Sequence, residues 1–191
     1  MTRNIEVVGQ DPSLRHWGLA KGTYNLDSKK LTIHTLALVE PVLPSGKQVR
    51  QNSKDVESAV QLTEGALAAA QGSHATFIEV PVGSQSARAM CGYGVCVGIL
   101  GALRCGGIPF FEVTPTEVKV ATTGYANAKK RDMIQWAVKA HPEATWPEYV
   151  RKGVTKVSEA QAEHMADAIG AIYAGLKSNS FQQMLAMLPT K

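Results

Sequence analysis

Ile5-Glu6-Val7-Val8-Gly9-Gln10-Asp11-Pro12-Ser13 is the stretch that decides the fold. Residues 5–9 read as a buried strand that stops at Gln10-Asp11-Pro12-Ser13, a run of turn-forming residues. A second strand is expected over residues 17–24. Asn25-Leu26-Asp27-Ser28 makes the turn into a third, over residues 31–39. In the third, Leu31, Ile33, Thr35 and Ala37 alternate with their neighbours, the period of two of a half-exposed strand. Connections this short join antiparallel neighbours, so the chain opens with a three-stranded meander.

Residues 40–54, with two prolines and a glycine, read as a loop, and residues 55–71 as a helix ended by Gly72. A short buried strand follows over residues 76–80, an apolar helix over 86–104 and a fifth strand over 109–113. The rest is helical: residues 115–122, 127–139, 158–176 and a last amphipathic piece over 181–188. Ser158 and Gln161 have the spacing of a capping box. Residues 141–156, rich in proline, aromatic and basic residues, read as an inserted loop. The order β-β-β-α-β-α-β followed by helices gives an α/β fold: a mixed five-stranded sheet, three strands antiparallel and two parallel, with helices on both faces. No repeat or second unit is read, so residues 1–191 are expected to form one domain.

Bulk composition is consistent with this. The chain has 191 residues, 45% hydrophobic and 19% charged, which excludes a disordered class. Its net charge of +4 permits a nucleic-acid partner without demanding one. Cys91, Cys96 and Cys105 have no zinc-finger spacing and read as buried thiols in a reducing compartment. The apolar run over residues 89–103 is shorter than the roughly 20 residues a membrane span needs, and Arg88 and Arg104 bracket it. It reads as a buried helix. No leader or lipidation motif is read at Met1-Thr2-Arg3-Asn4, so a cytoplasmic location with no membrane partner is expected.

The candidate chemistry lies in acidic residues at element ends. Asp11 follows the first strand, and Glu79 lies near the end of the fourth in Phe77-Ile78-Glu79-Val80-Pro81. Asp167 sits on the last long helix, three residues after His164, so the two share a helix face. Glu79 interrupts a strand that otherwise reads as buried, where an ionised carboxylate is costly unless it is paired or binds a metal. Each residue alone has an ordinary alternative: a turn aspartate, a glutamate paired to a buried arginine, a solvated His and Asp. Together, clustered carboxylates favour a divalent cation, and oxygen ligands favour Mg2+ or Mn2+. Two such ions about 4 Å apart can drive phosphodiester hydrolysis.

The sequence also resembles a known family. Gly9-Gln10-Asp11-Pro12-Ser13 with Gly18 is similar to the opening motif of RuvC-type Holliday junction resolvases. Glu79 matches their second acid. Pro109-Phe110-Phe111-Glu112-Val113-Thr114-Pro115-Thr116-Glu117-Val118-Lys119 resembles the stretch after their apolar helix, and Gly124 with Lys129-Lys130 resembles the following Gly and Lys. Glu163-His164-Met165-Ala166-Asp167-Ala168 looks like their C-terminal motif. The resemblance implies an RNase H-like fold and a homodimer that nicks four-way DNA junctions symmetrically, with two Mg2+ or Mn2+ ions per site. It implies Asp11, Glu79, His164 and Asp167 as metal ligands. It puts Lys119, and one of Lys129 and Lys130, near the scissile phosphate or the DNA backbone. Pro81-Val82-Gly83 stands where cellular members tend to carry an aromatic, and the loop over 141–156 is longer than usual. These departures point to a bacteriophage branch with broader branched-DNA substrates, acting in a bacterial host's cytoplasm. A ribonuclease H or other nuclease on this fold, and a catalytically silent junction-binding protein, are the alternatives.

Lys119, Lys129, Lys130, Arg131, Arg151, Lys152 and Lys156 gather after the fifth strand, a charge group suited to phosphates. Trp136, Trp146 and Tyr149 interleave with them. Core packing is expected for Trp136, with stacking on unpaired bases a further possibility in this group. Gly94 and Gly98 form a small-xxx-small pair on the apolar helix, readable as close packing within the subunit, as a dimer face, or as both.

Overall fold

The computed structural model describes residues 3–46 and 49–187. Its centre is a five-stranded sheet in the order β3-β2-β1-β4-β5. Strands β1 (Asn4–Asp11), β2 (Trp17–Asn25) and β3 (Leu31–Val39) form the antiparallel meander. Strands β4 (Ala75–Glu79) and β5 (Phe111–Val113) add in parallel beyond β1. The mixed sheet expected from the sequence is present, with helices on both faces.

The two faces have separate cores. On one, α1 (Gln51–Ala70) and α2 (Ala87–Cys105) cover Val8, Leu19 and Ile78. On the other, α5 (Glu159–Lys177) lies across Val7, Ala20, Ile33 and Phe77. The period of two in β1 and β4 assigns their residues: Val8 and Gln10 face α1 and α2, while Val7, Gly9 and Asp11 face α5. Glu79 shares the α5 face with Phe77. Gln10 is fully buried yet satisfied, accepting from Trp17 Nε1 at 2.9 Å and donating to the Ala66 carbonyl at 3.3 Å. Phe77, Phe111 and Phe181 meet with ring centroids 5.1–5.5 Å apart, two of the pairs edge-on. Each such pair adds about 0.5–1.5 kcal/mol beyond area burial, and Phe181 thereby pins α6 (Asn179–Met187) to the sheet. Residue 188 of the expected last helix lies outside the described residues.

Several expectations need correction. The alternation expected through β3 breaks at a bulge: Lys21 pairs with Thr35 but Gly22 with Ile33, leaving His34 as the extra residue. Leu36 and Leu38, not Thr35 and Ala37, then rejoin Leu31 and Ile33 on the α5 face. Helix α1 starts at Gln51, four residues before the expected Asp55. Asp55 sits one turn inside and pairs with Arg88 of α2 at 2.8 and 2.9 Å. Ser158 makes no side-chain cap. Both halves of the capping box are taken by backbone: the Ser158 N–H donates to the Pro147 carbonyl at 2.7 Å, and the Gln161 N–H to the Ser158 carbonyl at 3.2 Å.

Residues 141–156 are not a plain loop. They contain an antiparallel ribbon, β6 (Glu148–Arg151) and β7 (Val154–Val157), closed by Lys152 and Gly153 at φ 52° and 73°. Trp146 at its stem is buried and donates to the His141 carbonyl at 3.1 Å, so it is not available to stack on bases. Trp136 packs edge-on against Tyr173 at 5.0 Å.

Helix α2 is only partly buried. Gly92, Cys96, Ile99, Leu100 and Leu103 face the core, while Met90 and Val97 are 45% and 49% exposed. A Cβ at Gly94, Gly98 or Gly101 would meet nothing within 4 Å, so no close packing within the chain requires glycine there. By length and composition α2 could cross a bilayer, but one of its faces packs on α1 and the sheet. Cys91 and Cys105 are exposed, and of the three thiols only Cys96 is buried.

Candidate active site

The carboxylates meet where β1 and β4 end together. Gln10 pairs with Ile78 in parallel register, and Asp11 and Glu79 are the next residues on each strand. Adjacent strands run about 4.8 Å apart, and both side chains face α5. Helix α5 can come close enough to complete the group because the sheet surface beneath it is glycine. A Cβ at Gly9 would stand 1.9 Å from the Ala168 carbonyl oxygen, and one at Gly18 2.1 Å from that of His164. On the helix side, Gly175 makes the same allowance for Phe77. Backbone-to-backbone approach then sets His164 and Asp167 over the strand ends.

His164 Nδ1 lies 2.6 Å from Asp11 Oδ2. Burial alone would push the imidazole pKa down, but the Asp11 hydrogen bond and the charges of Asp11, Glu163 and Asp167 outweigh it and hold it above its ordinary value. The two deeper acids move the other way from normal carboxylates. Burial, then the negative charges of Asp11 and Asp167, push Glu79 up to about 9. Burial, then the charges of Asp11 and Glu163, push Asp167 up to about 8. In both, the Lys119 ammonium acts in the opposing direction, so Lys119 of α3 (Pro115–Thr123) faces the same group. A capping box between Thr114 and Glu117 starts α3 directly after β5, and Val118 packs under Gly170 of α5.

Of the two adjacent lysines, Lys130 is the one turned toward the site. Its ammonium pairs with Glu163, and it also feels the charges of Asp167 and Asp11. Lys129 instead begins α4 (Lys130–Ala140): its backbone N–H donates to Asp132 at 2.9 Å. That cap starts the helix three residues later than expected. Arg131, like Lys129, acts electrostatically on Asp132.

Two neighbours, Glu163 and Glu40, are not singled out by the sequence, and His16, close after Asp11, reads there as an ordinary surface histidine able to approach DNA. Glu163 adds a further negative charge beside Asp167. The only sequence sign of it was its place in the quoted C-terminal motif. His16 stacks on His164, with ring centroids 5.5 Å apart and planes 25° apart. Its other partner, Glu40, is 3.4 Å away. The sequence gives no sign of this pairing, because 148 positions separate the two histidines. A cleft of about 560 Å3 opens beside His16, lined by Arg15, Glu40, Lys54, Asp55 and Arg88, and not by Asp11, Glu79 or Asp167.

Chemically, three carboxylates and an imidazole form a hard, oxygen-rich donor set that is electrostatically frustrated in isolation. That is the signature of a group suited to a divalent cation. As placed, no three His, Cys, Asp or Glu side chains among the described residues converge on one point at ligating distance. Asp11 is engaged with His164 instead.

No family model matches the sequence, and no curated protein matches it. Solved structures do match. Thermus thermophilus RuvC in complex with a Holliday junction substrate is 18% identical with a TM-score of 0.63, over 95% of this chain and 96% of that one. A second structure of T. thermophilus RuvC gives 19% and 0.63, over 95% and 97%. At these identities the likeness establishes the fold, which is RNase H-like.

Proposed function

We propose that this chain is a divalent-metal-dependent DNA endonuclease that resolves four-way junctions and other branched DNA. The observation that carries the reading is the meeting of Asp11, Glu79 and Asp167 at one sheet end, where burial first and then their neighbours' negative charges push Glu79 up to about 9 and Asp167 up to about 8. Structural carboxylates are normally each paired with a cation; here three acids share one imidazole contact, His164 on Asp11, and a crowded acidic group of this kind marks a site that works on something cationic. Likeness of fold to a RuvC solved with a Holliday junction supports branched DNA as the substrate.

Asp11, Glu79, His164 and Asp167 are the residues that would hold the metal, two ions to a site. Bound there, Mg2+ or Mn2+ would supply the positive charge that activates water and stabilises the leaving oxygen. The chain's own groups do the rest. Lys119 offers a phosphate oxygen an ammonium next to Glu79 and Asp167. Lys130, held by Glu163, adds a second cation at the rim, and Lys129 and Arg131 extend the positive surface for the DNA backbone. Hydrolysis leaves a 5′ phosphate and a 3′ hydroxyl. The open apolar face of α2, with Gly94 and Gly98, is the surface for a homodimer, which would make the two nicks symmetric. A bacteriophage branch of the resolvases suits the departures around Pro81-Val82-Gly83 and residues 141–156.

The test is cleavage of a synthetic four-way junction beside fork, flap and plain duplex, with Mg2+ or Mn2+. Paired nicks in the junction are expected. Failure to cut any branched substrate with either metal overturns the reading.

A further inference from the structure

The β6–β7 ribbon contributes little to the core and carries charge that nothing in the protein uses. A two-stranded ribbon alone in water is marginal. This one is held at its base by buried Trp146, by Val157 against the core, and by the Ser158 N–H bond to Pro147. Beyond the base its residues are exposed, Val150 at 72%.

The pairing register sorts its side chains. Tyr149 is opposite Lys156 and Arg151 opposite Val154, so these four share one face. Glu148, Val150, Thr155 and Val157 share the other. Both strand cations and the only strand tyrosine are therefore on one side, and the only acid is on the opposite side. Lys152 adds a third cation at the tip. Among the described residues none of the three cations is in an ion pair. Every residue of the cationic face is exposed, whereas the other face turns Val157 inward.

Position makes this charge relevant to the site. The ribbon leads directly into α5, and at 1.5 Å per residue His164 and Asp167 lie only about 8 and 12 Å along the helix from its first residue. The base of the ribbon thus lies at the end of α5 that carries His164 and Asp167 to Asp11 and Glu79. A two-stranded ribbon is also a shape that the DNA major groove admits.

We propose that the face bearing Tyr149, Arg151 and Lys156, with Lys152 at the tip, is a DNA-binding arm that grips the phosphates of a duplex arm next to the scissile site. This rests on the nuclease reading and extends it: the ribbon positions the substrate by charge and takes no part in the chemistry. Each phosphate neutralised releases counterions, so the contact is visible in the salt dependence of binding.

The experiment measures affinity of the full chain for a labelled four-way junction in EDTA, by anisotropy, between 50 and 200 mM salt. Arg151→Gln/Lys156→Gln should lower the steepness of log Kd against log salt by about 2 and weaken binding about tenfold or more at 100 mM. Lys152→Ala should lower the steepness by about 1. Lys29→Gln/Lys30→Gln, at the far β2–β3 turn, removes equal charge and should leave the steepness unchanged. All these side chains except Lys29 and Lys30 lie on the ribbon, and unchanged melting temperatures will show that each variant is folded. If the ribbon and control pairs shift binding equally, or the ribbon pair not at all, the arm is disproved while the nuclease reading stands. The same holds if the ribbon variants change the protein's mass in solution and not its DNA affinity, since the ribbon would then be a protein interface. If the wild-type chain binds no branched DNA, both readings fall.

Discussion

A Cβ on Gly18 would lie 2.1 Å from the carbonyl oxygen of His164, closer than any side chain can sit. The site therefore depends on a residue that touches no substrate. Gly18→Ala must push α5 off β2, at about 1–3 kcal/mol for overpacking of this kind. It should lower the urea midpoint and, by shifting His164 and Asp167 together, abolish nicking. A variant with wild-type midpoint and wild-type cleavage would mean that the close approach does not set the site.

Asp167→Asn removes a buried carboxylate that burial and its neighbours already disfavour as an anion. Nicking should vanish while junction binding persists. At pH 8 without metal the variant should be at least as stable as wild type, since it relieves repulsion with Asp11 and Glu163. Normal cutting by this variant would remove Asp167 from the site.

Stability without metal should fall as pH rises. Glu79 and Asp167 have folded pKa values of about 9 and about 8 against ordinary values of 4.5 and 3.8. Between those limits the folded chain holds protons that the unfolded chain has lost, so the unfolding free energy drops with each step toward alkaline pH. His164 adds to the same trend: its folded pKa is raised, so its contribution is present at low pH and lost as pH passes through it. In EDTA the melting temperature should decline from pH 5 to pH 9. Mn2+ should restore it increasingly toward the alkaline end, because cation and protons compete for the same carboxylates. A melting temperature in EDTA that climbs over this range would contradict the electrostatics described for the site.

Much of this was legible in the sequence, and what was not has local causes. Strands β1 and β4 read as short buried runs with clear ends, and His164 and Asp167 stand three residues apart on α5, so the strand ends carrying Asp11 and Glu79 and the helix face carrying His164 and Asp167 could be placed. The β6–β7 ribbon was not legible because Lys152-Gly153 is a weak turn signal beside Asn-Gly, and four-residue strands hardly establish a period. In β3 one bulged residue, His34, reversed the faces of everything after it. Composition made α2 look buried, because an apolar helix has the same composition whether one of its faces is covered or exposed. The His16–His164 stack arises because Gly18 brings β2 under α5, and no pattern in either segment encodes it.

That open face of α2 yields its own test. A Cβ at Gly98 meets nothing within 4 Å and the position is exposed, so Gly98→Leu should leave the chain's fold intact, and gain slightly from replacing glycine inside a helix, about 0.5–1 kcal/mol. If two copies pack through this face, the added bulk should separate them, and sedimentation should show a lighter species with single, uncoordinated nicks in the junction. Unchanged mass and unchanged nicking would rule this face out as a contact between copies.

His164→Asp tests the one nitrogen donor in the group. A neutral imidazole brings one negative charge less than a carboxylate, and in this protein His164 is also held toward its protonated form by Asp11 at 2.6 Å. A cation must displace that proton, which weakens its hold most at low pH and favours Mn2+, the better partner for imidazole. The aspartate variant should bind metal more tightly, lose much of the preference for Mn2+ over Mg2+, and in EDTA be less stable than wild type, since a fourth carboxylate then joins Asp11, Glu79 and Asp167. Calorimetric titration with each metal at pH 6.5 and 8 reads the first two effects, and thermal melting in EDTA the third. Equal affinities and an unchanged metal preference would show that His164 serves Asp11 alone and not the cation.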